Sequence, residues 1–209
     1  RVDLQNFTSG GIFALALAAV DPDLKGFQGG FTDGRYGYFV PRYNGSMSGK
    51  VARVDLQNFS AGGVTSLDLE AFDSALSGFM GGFTDGRFGY LVPYNGNSGF
   101  SGAIARFDLQ NFTLSGVTKL DLATIDSDLK GFAWGFTDGR YGYFIPGYDG
   151  FYHGRLARVD LQNFTTSGVS WLNLATLNNN LAGFQGGFTD GRYGYLVPNS
   201  NASGFSGEI

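Results

Sequence analysis

The sequence predicts an all-β fold built from four repeats of one four-stranded unit, and three observations predict it. The motif Asp-Leu-Gln-Asn-Phe recurs at Asp3, Asp55, Asp108 and Asp160. It divides the 209 residues into a single repeat domain, 1-209, of repeats 1-52, 53-105, 106-157 and 158-209. The 35 Gly and 21 Phe, with 43% hydrophobic residues, describe a chain rich in turns that still has aromatics for a core, which a disordered chain lacks. Finally, no segment of useful length carries a convincing helical period.

Each strand has a local reason. Strand one is predicted over 27–32, with Phe27, Gly29 and Phe31 on one face. Asp33-Gly34 then makes a hairpin, and Asp-Gly suits the two positive φ values of a type I′ turn. Strand two runs over 35–40, where Tyr36, Tyr38 and Val40 alternate with Gly37 and Phe39. Pro41 has no amide hydrogen to give a ladder, so it ends the strand. Strand three covers 50–56, with Ala52, Val54 and Leu56 on one face, and strand four covers 64–69, with Leu67 and Leu69 together. The stretch 67–76 is strand followed by turn, because Asp21-Pro22, Asp73-Ser74, Asp126-Ser127 and Asn178-Asn179 place turn chemistry at its end.

The longest shared pattern is Gly-Phe-x-x-Gly-Phe-Thr-Asp-Gly-Arg-(Tyr/Phe)-Gly-Tyr-(Phe/Leu)-(Val/Ile)-Pro, at 26–41, 78–93, 131–146 and 183–198. With four short antiparallel strands per repeat it resembles a β-propeller blade, most nearly of the Kelch-like type. Tyr36-Gly37-Tyr38-Phe39-Val40-Pro41, a Tyr-Asn-Gly loop and then Val51 to Asp55 carry the likeness. No Trp-Asp dipeptide is present, which disfavours the WD40 type. The resemblance implies a β-propeller of four four-stranded blades with strand-exchange closure. The chain begins at strand three, so the last strands one and two would pair with the first strands three and four. The alternative is an open stack of β repeats within a longer array. Gly29-Gly30, Gly81-Gly82 and Gly186-Gly187 would crowd the axis, and Trp134 replaces the first of these glycines in the third repeat.

Composition excludes several functions. A net charge of −4 and 15% charged residues leave no basic patch for nucleic acid. No apolar run approaches the roughly 20 residues that span a bilayer. Zero Cys removes disulfides, thiol catalysis and cysteine-ligated metals. His153 is the only histidine, is expected in a solvent-facing loop, and has no Gly-x-Ser-x-Gly elbow to serve. Asp21, Asp23, Asp126 and Asp128 have Asp-x-Asp spacing but lack the further oxygen ligands of a calcium loop. Arg53 and Asp55 share a face and are expected to form structural pairs, with each other or with Asp85 and Arg87 of a turn. Hence no catalytic residue, metal site or cofactor is predicted.

Two features point outward. Sequons for N-glycosylation stand at Asn6, Asn58, Asn111 and Asn163, once per repeat, with Asn44 and Asn201 in loops. The bland explanation is that Asn ends a strand, Phe packs and Thr starts a turn. The loops between strands two and three diverge most and carry Tyr43, Tyr94, Phe100, Tyr148, Phe151 and Tyr152 among Asn, Ser and Gly, the composition of adaptable contact surfaces. The function expected is that of an extracellular or cell-surface structural or adhesive repeat glycoprotein, part of a longer array or filament. It would associate with itself, with neighbouring repeat domains or with glycans. The alternative is a lectin-like carbohydrate- or protein-binding propeller using those loops. An enzyme ranks last, because four alike blades supply no unlike catalytic groups.

Overall fold

The structure, a computed structural model, describes all 209 residues. The first sheet holds β1 (Phe27–Thr32), β2 (Tyr36–Pro41), β3 (Lys50–Asp55) and β4 (Val64–Asp68) in that order. The second begins with β5 (Phe79–Thr84) and β6 (Phe88–Pro93). A small ribbon of β7 (Asn95–Gly96) and β8 (Gly99–Phe100) follows, and β9 (Ala103–Asp108) and β10 (Val117–Asp121) complete the sheet. The third contains β11 (Phe132–Thr137), β12 (Tyr141–Pro146), β13 (Arg155–Asp160) and β14 (Val169–Asn173). The last has only β15 (Phe184–Thr189) and β16 (Gly194–Pro198), followed by a ribbon of β17 (Ser200–Asn201) and β18 (Gly204–Phe205). Pairing is antiparallel throughout, and strand ends differ from expectation by a residue or two.

The Asp-Gly turn is not of type I′. Gly34 has φ +94 while Asp33 does not enter the positive region. Side chains build the turn instead: one Asp33 carboxylate oxygen accepts from the amides of Arg35 (2.9 Å) and Tyr36 (2.7 Å), and the other from the Tyr38 hydroxyl (2.9 Å). The Thr32 hydroxyl donates to the Tyr36 carbonyl and accepts from the Gly34 amide. The same Asp-to-Tyr bond recurs at Asp85, Asp138 and Asp190.

Strand one is bulged in every repeat. Phe27 pairs with Pro41, but Gly30 pairs with Phe39, so two residues face one. Gly29 and Gly81 take φ +87 at this bulge. Trp134 stands at the same position with φ +69, the one non-glycine residue in the chain with positive φ. Its indole lies over the neighbouring bulges: a Cβ added at Gly29 would sit 2.7 Å from it.

Alternation along the strands divides the core into layers between sheets. On β9, Ala103, Ala105 and Phe107 face the first sheet, where they meet Tyr38, Val40 and Leu67, together with Leu76 and Phe79. Ile104 faces the other way, into a layer with Phe83, Tyr90, Leu122, Phe132 and Phe144. A third layer joins Ala52, Val54 and Val64 to Leu15, Leu17 and Leu24 of the N-terminal segment.

The closed four-bladed propeller is therefore corrected, and with it the Kelch-like assignment. β1 packs on β5, β5 on β11 and β11 on β15 in series, as an open stack of separate small sheets. β15–β16 stays a two-stranded half-sheet, while the N-terminal segment packs on the first sheet at the far end. Bulky aromatic layers, including Phe31 against Phe107 and Phe83 against Phe144, fill the space between successive sheets.

Candidate functional site

The loops after strand two converge because each is tied to the glycine that precedes strand one. The amides of Arg42 and Tyr43 donate to the Gly26 carbonyl (3.2 and 3.0 Å), Asn95 to Gly78 (3.2 Å), Tyr148 to Gly131 (3.1 Å) and Ser200 to Gly183 (3.2 Å). These four glycines have φ between +66 and +70, and a side chain there would run into the backbone of the loop. The loops are thus pinned to the end of strand one that carries the bulge.

Four of the six loop aromatics meet across repeats. Tyr94 meets Phe100 edge-on at 5.6 Å, Phe100 meets Tyr148 at 5.6 Å, and Tyr148 meets Tyr152 at 5.2 Å. Such T-shaped contacts place ring edges on ring faces, the arrangement favoured by the aromatic quadrupole. The Arg42 guanidinium lies 4.5 Å from the Tyr94 ring centre. Tyr43 and Phe151 make no ring contact, and Phe151 projects into solvent.

Arg42 gives this surface its electrostatics. Its Nη1 is buried without a hydrogen-bond partner, and Arg42 forms no ion pair. Burial lowers its pKa, and the adjacent Tyr94 hydroxyl is pushed up by its own burial. His153, expected in solvent, is buried against Phe132 at 6.1 Å. Its Nδ1 accepts from the Arg155 amide at 3.3 Å and its Nε2 has no partner. Burial depresses its pKa and favours the neutral ring. Sequence reasoning missed both residues as site features. The one available signal was that Arg42 is the only charged residue directly after the strand-two proline in any repeat.

The remaining candidates have structural surroundings. Oδ1 of Asn6, Asn58, Asn111 and Asn163 accepts from the hydroxyl two residues on, at 2.8–2.9 Å, holding the loop after strand three. The amides of Asn44 and Asn201 donate to the Asp23 and Asn180 carbonyls, both at 3.2 Å. Asp55 pairs with turn Arg35 at 3.1 Å, not with Arg53 or Arg87. Arg53 lies between the rings of Tyr36 and Phe112. Lys50 sits between Asp21 and Asp23 (3.1 and 2.9 Å), Lys119 bonds Asp73, and Arg155 bonds Asp128 at 2.6 Å.

No protein-family model matches the chain, and no curated protein matches it. Solved structures similar to it include the Kuenenia stuttgartiensis hydrazine synthase, with TM-score 0.48, 14% identity, and coverage of 69% of this chain and 36% of the other. Another is the dihydro-heme d1 dehydrogenase NirN in complex with DHE, with TM-score 0.49, 20% identity, and coverage of 78% and 30%. The chain spans about a third of the length of each. Both neighbours bear the names of enzymes. The expectations of a structural or adhesive glycoprotein and of a chain without enzymatic activity are withdrawn.

Proposed function

We propose that the loop face binds an anionic ligand bearing an aromatic ring. One observation carries this reading: a half-buried arginine with an unpartnered Nη1 lies beside a four-ring cluster drawn from two loops. A carboxylate or phosphate supplies the acceptor that Arg42 lacks, and a charge-assisted bond of this kind is stronger than a neutral one. The exposed edges of Tyr148 and Tyr152 offer the ligand ring a surface to stack on. Binding on rigid rings fixed by sheet-anchored loops loses little conformational entropy.

The test is isothermal calorimetry and thermal shift with a panel of aromatic carboxylates and aromatic phosphates. The wild-type chain is expected to bind at least one of them saturably, with a raised Tm. Arg42→Met is expected to weaken that binding about tenfold or more, as loss of a charged anchor does. A panel without a single binder, or an Arg42→Met protein that binds like wild type, refutes the proposal.

A further inference from the structure

The loop after strand two is closed in the same way in every repeat, and in one repeat a titratable residue closes it. The Ser48 amide donates to the Arg42 carbonyl at 3.0 Å, its carbonyl accepts from the Gly78 amide at 3.0 Å, and its hydroxyl accepts from the Lys50 amide at 3.2 Å. Ser101 makes the matching bonds with Tyr94, Gly131 and Ala103 at 2.8, 3.1 and 3.1 Å. Ser206 donates to Asn199 at 2.9 Å and accepts from the Glu208 amide at 3.3 Å. In the third repeat the position belongs to His153. Its amide donates to Gly147 at 3.3 Å and its carbonyl accepts from the Gly183 amide at 3.2 Å. Its Nδ1 stands in for the serine hydroxyl and accepts from the Arg155 amide at 3.3 Å. We propose that His153 is a proton-operated latch, which holds the loop 147–153 against the fourth repeat while the imidazole is neutral and releases it when the imidazole is protonated.

A serine hydroxyl accepts a hydrogen bond whatever the pH, but an imidazole does not. Protonation turns Nδ1 into a donor facing the Arg155 amide, which is also a donor. It also places a charge on a ring that is only 6% exposed, lies against Phe132 and has no partner at Nε2. Burial is the largest influence on the ring and disfavours the charge. Asp149 on the same loop and the carbonyls of Gly131 and Lys130 favour it, while Arg155 on β13 opposes it. The Arg155 guanidinium is itself held by Asp128 at 2.6 Å. Neither β11 nor the segment 174–183 carries a charged residue.

Released from the site, the imidazole recovers the ordinary pKa of about 6.5, and in the closed loop its pKa lies lower. The latch is therefore at full strength above pH about 6.5 and weakens as pH falls below that value. One proton changes the ratio of open to closed loop by at most about tenfold per pH unit. Tyr152 directly precedes His153 and its ring meets Tyr148 at 5.2 Å, so release removes rings from the aromatic cluster. Opening of the loop requires no ligand. Only the consequence that acid weakens binding rests on the proposed function of this face.

His153 is the only histidine, so its Cε1–H resonance is identified without assignment. A proton NMR titration is expected to give a pKa below the ordinary value. Hydrogen exchange read by mass spectrometry, corrected for the intrinsic effect of pH, is expected to be several-fold faster at pH about 5 than at pH about 7 in peptides spanning 147–153 and Gly183. The serine-closed loops 42–48 and 94–101 are controls within the same molecule and are expected to stay constant. His153→Ser installs the residue of the other repeats and is expected to abolish the response of the third loop. A His153 pKa at or above about 6.5, a third loop that ignores pH, serine loops that respond equally, or an unchanged response in His153→Ser overturns the proposal. No ligand enters these measurements, so their failure is distinct from failure of the anion-binding proposal.

Discussion

Asp85 and Asp190 make the same three hydrogen bonds in very different surroundings, and this makes them a matched pair for measuring what the turn contributes. Asp85 accepts from the amides of Arg87 and Phe88 at 2.9 and 2.7 Å and from the Tyr90 hydroxyl at 2.8 Å. Asp190 accepts from Arg192, Tyr193 and Tyr195 at 2.8, 2.7 and 2.9 Å. Tyr90 is completely buried, whereas Tyr195 is 36% exposed. Asp85→Ala strands the Tyr90 hydroxyl without a partner, at about 1–3 kcal/mol, and removes two amide bonds worth about 1 kcal/mol each. The expected loss is about 3–5 kcal/mol, or roughly 10 °C in Tm for a chain of this size. In Asp190→Ala, water replaces the lost carboxylate, so the Tm falls by less than half as much. Adding Tyr90→Phe to Asp85→Ala removes the stranded hydroxyl and recovers about 1–3 kcal/mol, while Tyr90→Phe alone destabilises. Far-UV circular dichroism melts of the four variants decide it. Equal losses for Asp85→Ala and Asp190→Ala, or no recovery in the double variant, refute the reasoning.

Other outcomes follow from the same geometry. Trp134→Ala and Trp134→Gly both delete the indole, but only Ala keeps a side chain at φ +69, so the Gly variant should be the more stable by about 1 kcal/mol in urea unfolding. Leu122→Ala empties a fully buried position in the layer between the second and third sheets and should cost about 2–5 kcal/mol in the same assay. Burial pushes the Asp33 and Asp138 carboxyls up, but hydrogen bonds from the turn amides and from Tyr38 and Tyr143 outweigh it and leave both below their usual values. Their contribution is complete above pH about 4 and is lost as pH falls through the lower folded values, so Tm should hold through neutral pH and drop in acid. Burial, then the hydrogen bond to the turn carboxylate, raises the Tyr38, Tyr90 and Tyr143 hydroxyls. That contribution is complete below pH about 10 and is lost above it, and ultraviolet titration should show these tyrosines ionising late, together with unfolding.

The repeat, its four strands and the turn-forming Asp-Gly were legible because each is written in local pattern. The period-two alternation of Tyr36, Tyr38 and Val40 marks a strand facing a neighbour, and β2 forms there. Closure was not legible, since it depends on how successive sheets pack on one another, through contacts such as Phe31 with Phe107 and Phe83 with Phe144, and not on any one strand. The turn type was misread because Asp33 can satisfy the turn amides with its carboxylate and so needs no positive φ. Composition singled out Tyr94, Phe100, Tyr148 and Tyr152 together with Tyr43 and Phe151. Which four meet is decided by how the loops of the second and third repeats lie against each other, which the composition of neither loop records. His153 could not be placed from sequence, because it packs against Phe132 of β11, two strands earlier.

Both tryptophans of the chain lie in the third sheet, Trp134 in β11 and Trp171 in β14. Intrinsic fluorescence therefore watches one layer of the stack, while far-UV dichroism watches all of them. Sheets that touch only their neighbours unfold as a one-dimensional array, whose ends fray before its middle. In urea the dichroism transition should begin at lower concentration than the fluorescence transition. The interval between the two curves measures how strongly each sheet is coupled to the next.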